Sequence, residues 1–340
     1  MLGCIIPSRA TSAVRRPATC SLTSMPTDFS ANTASSAPID TMRVRHLFAK
    51  PERVTESGFL RREIAVRMQE RLGLVRLSPR SALDAGCGDG ADLPVLQKLY
   101  PDAQIIGVDG AHAMLHAARA GQHAALSALN RLLAQWLPAQ LASRGRGLDA
   151  RLICADFARV PLAADAVDLV WSNLALHWHP QPDRVFAEWR RLLRADGLLM
   201  FSCFGPDTFK QLRTAFSIAT GVPESRVLPF VDMHDFGDML VGAGFSTPVM
   251  DMETITVTYE TVDRLMQDVR AWGGNPLASR PRGLLGRQAS LRLRAALENM
   301  REENGRMPLT FEVVYGHAFR PVSRLTASGE SIIRFESRRK

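Results

Sequence analysis

The sequence predicts an α/β protein: a doubly wound, seven-stranded, mostly parallel sheet with a helical lid inserted near its end. Three observations predict it. An apolar stub, Ala82-Leu83, runs into Asp84-Ala85-Gly86-Cys87-Gly88-Asp89-Gly90 and then into the helical spacing Leu93, Leu96, Leu99, which reads as strand, tight turn, helix. Four further short apolar runs alternate with helical patterns between residues 104 and 203, as βα units do. Two Thr- and β-branched-rich runs, Met250–Tyr259 and Thr310–Phe319, then flank a stretch of helical periodicity.

Composition bounds the function. The 340 residues, 46% hydrophobic, suffice for one large core with an appendage. No stretch approaches the roughly 18 apolar residues of a membrane span. The formal charge of +8 raises nucleic acid as a partner, yet only Lys50, Lys98, Lys210 and Lys340 among 42 basic residues are lysine. That skew towards Arg in an Ala- and Leu-rich chain fits codon bias. The basic residues are not interleaved with aromatics as a stacking surface requires, so a nucleic-acid partner is not expected. Cys4, Cys20, Cys87, Cys154 and Cys203 form no C-x-x-C pair and read as core or loop residues of a reducing, cytoplasmic compartment. His177-Trp178-His179 lacks further ligands at zinc spacing, so no metal is expected.

Residues 1–40 are rich in Ser, Thr, Ala and Pro, and carry no acid before Asp28. Such a segment cannot support a core and reads as disordered. It is either an organellar transit peptide, given Arg9, Arg15 and Arg16, or an extension past a natural start at Met25 or Met42. From Thr41 to Leu74 the pattern is helical, with Leu60, Ile64, Val66, Met68 and Leu72 on one face and Gly73 as the stop. Phe48 and Phe59 read either as core or as a cover over a bound ligand.

The glycine turn fits two ligands. Glycines let backbone approach a ligand closely, and Gly86, Gly88 and Ala91 also satisfy the dinucleotide pattern G-x-G-x-x-A. A pyrophosphate, however, needs an uncluttered helix N-terminus, and Asp84, Asp89 and Asp92 crowd this one. Three carboxylates suit a ligand with cationic centres and neutral hydroxyls: the sulfonium, ammonium and ribose of S-adenosylmethionine (SAM).

The later elements follow in order. Gln104–Asp109 is strand two, and Asp109 at its end can accept a ribose diol or cap the helix from Ala111. Leu126, Leu129, Leu132, Leu133, Trp136 and Leu137 imply an extra helix before Pro138 and the turn Arg144-Gly145-Arg146-Gly147. Arg151–Cys154 and Val167–Asn173 are strands three and four. The loop after strand four carries His177, a general base or a packing residue, and Trp178, which stacks on substrate or packs in the core. Val185, Phe186, Trp189, Leu192 and Leu193 form a helix stripe, and Leu198–Cys203 is strand five. Helices follow around Phe209, Leu212 and Phe216 and around Phe236, Met239, Leu240 and Val241. Val262–Trp272 and Gly286–Glu303 form the lid, which carries Arg280, Arg282, Arg287, Arg292 and Arg294.

Leu83–Gly90, Gln104–Asp109, Ala155-Asp156-Phe157, Val167–Asn173 and Leu192–Gly197 together resemble, in order, the motifs of class I SAM-dependent methyltransferases, a Rossmann-like family. The resemblance implies SAM as cofactor, held by Asp84, Gly86, Cys87, Gly88, Asp109, Gly110, Asp156, Phe157 and Asn173, with Asp156 on the adenine amino group. It also implies that His177 and Trp178 face the transferred methyl.

Phe204–Thr208, Ala243–Phe245, Arg270–Asn275 and Pro308–Glu312 narrow the resemblance to the BioC family, malonyl-[acyl-carrier protein] O-methyltransferases that open biotin synthesis. A sister group, the SAM-binding complex I assembly factors regarded as arginine hydroxylases, resembles Pro51–Ile64 and Phe204–Thr208 more closely. RNA methylation is a third possibility, although no appended recognition domain is visible. The BioC resemblance implies a malonyl thioester on acyl carrier protein as partner. Its carboxylate is ionised at neutral pH and needs a cation rather than a base, and Arg280 or Arg282 is the expected one. The organisation expected is an extension (1–40), a SAM-binding domain (41–259 and 308–320), a helical lid (260–307) and a basic tail (321–340).

Overall fold

The structure, a computed structural model, describes residues 38–56, 58–133, 150–222, 226–272 and 274–322. The expected extension and basic tail, apart from Pro38–Asp40 and Pro321–Val322, lie outside the described residues, as do Trp136, Pro138 and the Arg144–Gly147 turn.

Seven strands form one sheet: β1 (Ser81–Ala85), β2 (Gln104–Asp109), β3 (Arg151–Cys154), β4 (Val167–Asn173), β5 (Leu193–Phe204), β6 (Ser246–Tyr259) and β7 (Met307–Phe319). Their order is β3-β2-β1-β4-β5-β7-β6. The first five pair in parallel, and β7 runs antiparallel to both β5 and β6. All five residues of β1 are buried, as a central parallel strand covered on both faces must be. Along the edge strand β6 half-buried and exposed positions largely alternate instead, since only one of its faces is covered, and that partly.

The helices are α1 (Thr41–Leu47), α2 (Pro51–Glu56), α3 (Phe59–Leu72), α4 (Leu93–Leu99), α5 (His112–Leu133), α6 (Pro182–Leu192), α7 (Lys210–Thr220), α8 (Met233–Gly242), α9 (Val262–Ala271) and α10 (Arg287–Glu298). One face of the sheet packs Leu60, Ile64 and Met68 of α3 with Leu93, Leu96, Leu212, Leu265 and Leu293. The other packs Val185, Phe186 and Trp189 of α6 against Phe236 and Leu240 of α8. Apolar stripes at helical spacing drive both layers, and the doubly wound architecture follows from their opposite sides.

Several boundaries differ from the sequence-based expectation. Thr41–Leu74 is three helices rather than one, because Pro51 opens a new helix and Gly58 separates it from α3. Gly73 closes α3 with a right-handed φ of −62°, so it does not end the helix by a left-handed turn. Of the extra helix expected around Leu126–Leu137, the described part, Leu126 to Leu133, is a continuation of α5 through Gly121. Strands β5, β6 and β7 begin at Leu193, Ser246 and Met307, earlier than expected, because pairing recruits flanking residues: Leu193 pairs with Val167 of β4, Ser246 with Phe319 and Met307 with Tyr259.

Helices α9 and α10 lie between β6 and β7. Asp263 pairs with Arg294, joining the two helices, and Arg292 Nε donates to Ala219 O at 3.0 Å, fastening α10 to α7. The N-terminal strap Pro38–Asp40 adds a second fastening. Ile39 bridges Leu277, Asp40 N–H donates to Pro276 O at 3.0 Å and Ala278 N–H to Pro38 O at 2.9 Å. Asp40 also caps α1 by accepting from Arg43 N–H at 3.0 Å.

Candidate active site

Strand order reverses between β1 and β4, and loops leaving the carboxyl ends of neighbouring strands open a crevice there. A cavity fills it. It is lined by Gly86 and Gly88 after β1, Asp109 and Gly110 after β2, Asp156 and Phe157 after β3, and Asn173, Leu174 and Ala175 after β4. Helix α1 supplies Val44 and Arg45 to its wall, followed by Phe48, and Arg61 reaches it from α3.

The turn after β1 shapes this cavity through its hydrogen bonds. Gly86 and Cys87 N–H both donate to Val108 O, at 2.8 and 3.0 Å, and Gly90 N–H donates to Cys87 O at 2.9 Å. Gly88 N–H donates to Asp109 Oδ2 at 2.9 Å. These amides face inward, so they do not form the anion nest a pyrophosphate requires. Gly86, Gly88 and Gly90 all have positive φ, at 83°, 55° and 77°. A Cβ on Gly88 would come within 3.3 Å of Arg61 Nη1, so the missing side chain is part of the cavity.

Electrostatics favour a cation. Asp84 is 2% exposed and its Oδ2 has no hydrogen-bond partner among the described residues. Burial pushes its carboxyl well above the usual range, reinforced by the charges of Asp92, Asp109 and Asp89. Asp92 and Asp109 are likewise raised by burial. Hydrogen bonds from Trp171 and Asn173 oppose the shift at Asp92, and bonds from the Ala111 and Gly88 amides oppose it at Asp109. Arg61 faces this group of acids, 3.6 Å from Asp89. A bound cation would relieve the strain among them, and an anion would aggravate it.

The sequence-predicted residues divide into those at the cavity and those below or away from it. Gly86, Gly88, Asp109, Gly110, Asp156, Phe157, Asn173, His177 and Trp178 line it. Asp84 lies beneath, a buried charge rather than a wall residue. Cys87 turns into the core, 6% exposed, so its side chain is not part of the wall. Asp109 serves as a cap as well, its Oδ1 accepting from Ala111 N–H at 2.7 Å. Asn173 is held on three sides: Nδ2 donates to Asp92 Oδ2 and Arg61 O at 3.0 and 3.1 Å, and Oδ1 accepts from Ser202 Oγ at 3.0 Å. Of the two covering aromatics, Phe48 lines the cavity edge-on to Trp178 at 5.3 Å, whereas Phe59 sits outside against Trp272.

Arg280 and Arg282 do not reach the site. Arg280 Nη1 donates to Leu277 O at 2.9 Å within its own loop, and Arg282 is exposed. Sequence reasoning missed Arg61 and Arg45, which reach the site only through the packing of α1 and α3.

A second cavity adjoins the first. It is lined by Phe209, Leu212 and Phe216 of α7 and its approach, by Arg226, Val227, Leu228 and Phe230, and by Met266, Val269 and Asn275. His177, Trp178, Phe204 and Trp272 line both cavities and form the junction. His177 is 8% exposed among Trp178, Phe204 and Phe230 rings, 4.8, 4.9 and 5.6 Å away. Burial pushes its pKa down to about 3, and neither ring nitrogen has a partner among the described residues.

A family profile described as "Methyltransferase domain" matches residues 83–201. The malonyl-[acyl-carrier protein] O-methyltransferase of Laribacter hongkongensis is 46% identical over 287 residues, 84% of this chain and 91% of the relative. That of Gallionella capsiferriformans is 43% identical over 299 residues, 87% of this chain and 96% of the relative. A solved structure from Bacillus halodurans C-125, described provisionally as a methyltransferase, superposes with a TM-score of 0.50 at 13% identity. It covers 76% of this chain and 99% of its own, and shows the fold.

Proposed function

This chain belongs to the malonyl-[acyl-carrier protein] O-methyltransferase family, and from that premise we propose that it methylates the free carboxylate of malonyl-[acyl-carrier protein], at the opening of biotin synthesis. It is a SAM-dependent methyltransferase. SAM supplies an electrophilic methyl on a sulfonium.

The residues fit that cofactor. The unpartnered Asp84 Oδ2 and its acidic neighbours suit the ammonium and sulfonium charges. Asp109 retains acceptor capacity for a ribose diol beyond its two amide contacts. Asp156 and Phe157 would hold adenine by hydrogen bond and packing, and Gly86, Gly88 and Gly110 let the ligand approach the backbone. Asn173, fixed by Asp92 and Ser202, keeps the β4 loop open beside it.

The junction between the cavities carries the reading of the acceptor. Its four side chains are His177, Trp178, Phe204 and Trp272, and the imidazole is held far below its ordinary basicity. A hydroxyl or amine acceptor would have to lose a proton there. A carboxylate arrives without one, and an aromatic, water-poor wall that orients it is sufficient catalysis.

The acyl carrier would approach the second cavity from outside. That cavity shares Val227 and Phe230 with a surface groove carrying Arg213 and Lys210, the latter paired with Asp207 at 3.0 Å. Cations there suit an acidic carrier and the phosphodiester of its pantetheine arm, steering association in a salt-dependent way. The thiols Cys87, Cys154 and Cys203, free among the described residues, fit a reducing compartment such as the cytoplasm.

Transfer of labelled methyl from SAM to malonyl-carrier protein, beside acetyl-carrier protein, tests the reading. Label on the malonyl form alone supports it. Binding of SAM without transfer would overturn it in favour of a SAM-binding assembly factor.

A further inference from the structure

We propose that the second cavity is the acyl chamber and that Arg226 is the cation that grips the substrate's free carboxylate. This rests on the methyl-acceptor reading above and names the residue that reading lacks.

Among the described lining residues, the Trp178 and Trp272 indoles aside, three side chains are polar. His177 is neutral, Asn275 Oδ1 already accepts from Leu277 N–H at 2.9 Å, and Arg226 is the cation among the described lining residues. Among the described residues no Asp or Glu lines the cavity, and no carboxylate pairs with Arg226. A guanidinium on an apolar wall without an internal anion is an anion site, and its planar fork matches both oxygens of a carboxylate.

The backbone under Arg226 is held in place. Val227 packs into the main core at 5% exposure, and Leu228 packs with Ile39 and Leu277 at 4%. The strap Pro38–Asp40 therefore bears on the segment that presents this arginine, through the same Leu277 it bridges.

Other arginines near the lid are engaged or distant. Arg292 donates to Ala219 O, Arg294 pairs with Asp263, Arg280 donates to Leu277 O, and Arg282 is exposed away from both cavities. Arg226 opens on the chamber that meets the SAM cavity at His177 and Trp178.

The chemistry gives this contact a direction. Arg226 holds a carboxylate strongly before reaction and a neutral methyl ester weakly after it, since the ester has lost the charge the fork recognises. The same contact discriminates malonyl from acetyl thioesters, which present no carboxylate.

Binding of labelled malonyl-carrier and acetyl-carrier protein to the SAM-free chain tests this directly by anisotropy. The wild-type chain is expected to prefer the malonyl form by roughly tenfold or more, the worth of one charge-assisted pair. Arg226→Ala should bind both forms alike while its SAM affinity, read on the same sample, stays within about twofold. Arg226→Lys should restore part of the preference, and guanidinium ion should restore part of the turnover of Arg226→Ala.

Arg226→Gln keeps length and polarity, so it guards against a folding defect in the alanine variant. If it retains the full malonyl preference, the proposal is overturned. Loss of preference in Arg280→Ala or Arg282→Ala instead would also overturn it. A wild-type chain that never methylates malonyl-carrier protein defeats the underlying reading. A wild-type chain that turns over normally beside an unaffected Arg226→Ala defeats this assignment alone.

Discussion

Gly86 lies so close beneath Ala175 that a Cβ on the glycine would overlap the alanine methyl. The turn after β1 and the loop after β4 are thereby locked together across the point where strand order reverses, and the crevice between them keeps its shape. Gly86→Ala combines that overlap with a φ of 83°. It is expected to cost about 2–4 kcal/mol and lower Tm by roughly 5–15 °C. Adding Ala175→Gly should recover the steric part and leave the backbone part, a split that thermal melts of the single and double variants can measure.

Asp84→Asn should separate stability from binding. The folded carboxyl sits above its ordinary 3.8 because burial disfavours the charge. An acid shifted upward contributes stability below that ordinary value and loses it as pH rises through the folded value. The variant should therefore gain most over wild type near about pH 8 and least near about pH 5 in SAM-free melts, while SAM affinity falls roughly tenfold or more. A variant less stable than wild type across that range would contradict the assignment of Asp84 as an uncompensated buried charge.

His177 should leave no mark on the pH–rate profile between about pH 6 and 8, because burial holds its pKa near 3. His177→Gln should cost less than about tenfold in kcat/KM, against the 10²–10⁴ typical of a general base. Stability carries the opposite sign from Asp84. The unfolded histidine takes up protons below about 6.5 that the folded one refuses, so the wild type should lose stability as pH falls from there towards 3, and the glutamine variant should lose less.

Thr208 ties the start of α7 to β7. Its hydroxyl donates to Glu312 O and accepts from Glu312 N–H, both at 3.0 Å, while Glu312 Oε2 accepts from Asp207 N–H. Thr208→Val removes the hydroxyl that Glu312 N–H donates to, while Glu312 O keeps the Gly205 N–H at 2.9 Å, and should cost about 1–3 kcal/mol. Because α7 carries Leu212 and Phe216 into the second cavity, KM for the carrier substrate should rise before SAM affinity changes, a difference that steady-state kinetics and SAM titration would resolve.

The sheet was legible because each strand is a short apolar run bounded by turn residues, and the Gly86–Gly90 turn carries its own backbone requirement. Asp109 and Asn173 were legible for the same reason, since each terminates a strand at the crevice, and Asp156 follows two residues after β3 ends at Cys154. Boundaries such as Leu193 and Ser246 were not, because pairing with Val167 of β4 and with Phe319 of β7 sets them rather than local propensity. Nor was Arg61, which meets Asp89 only after α3 packs on the sheet. The carboxylate-holding arginine was sought in the lid, where basic residues are dense. Density marks a solvated surface as readily as a site, and Arg226 stands apart because the segment holding it is anchored by Val227 and Leu228.

The most direct measurement is the chemical identity of the methylated product. Wild-type protein, isotopically labelled SAM and malonyl-carrier protein should yield a label resonating as an O-methyl ester on the acyl group, lost on mild alkaline hydrolysis, and absent when acetyl-carrier protein is supplied. Label on the thioester carbon chain, on a protein side chain or nowhere at all would contradict carboxylate methylation.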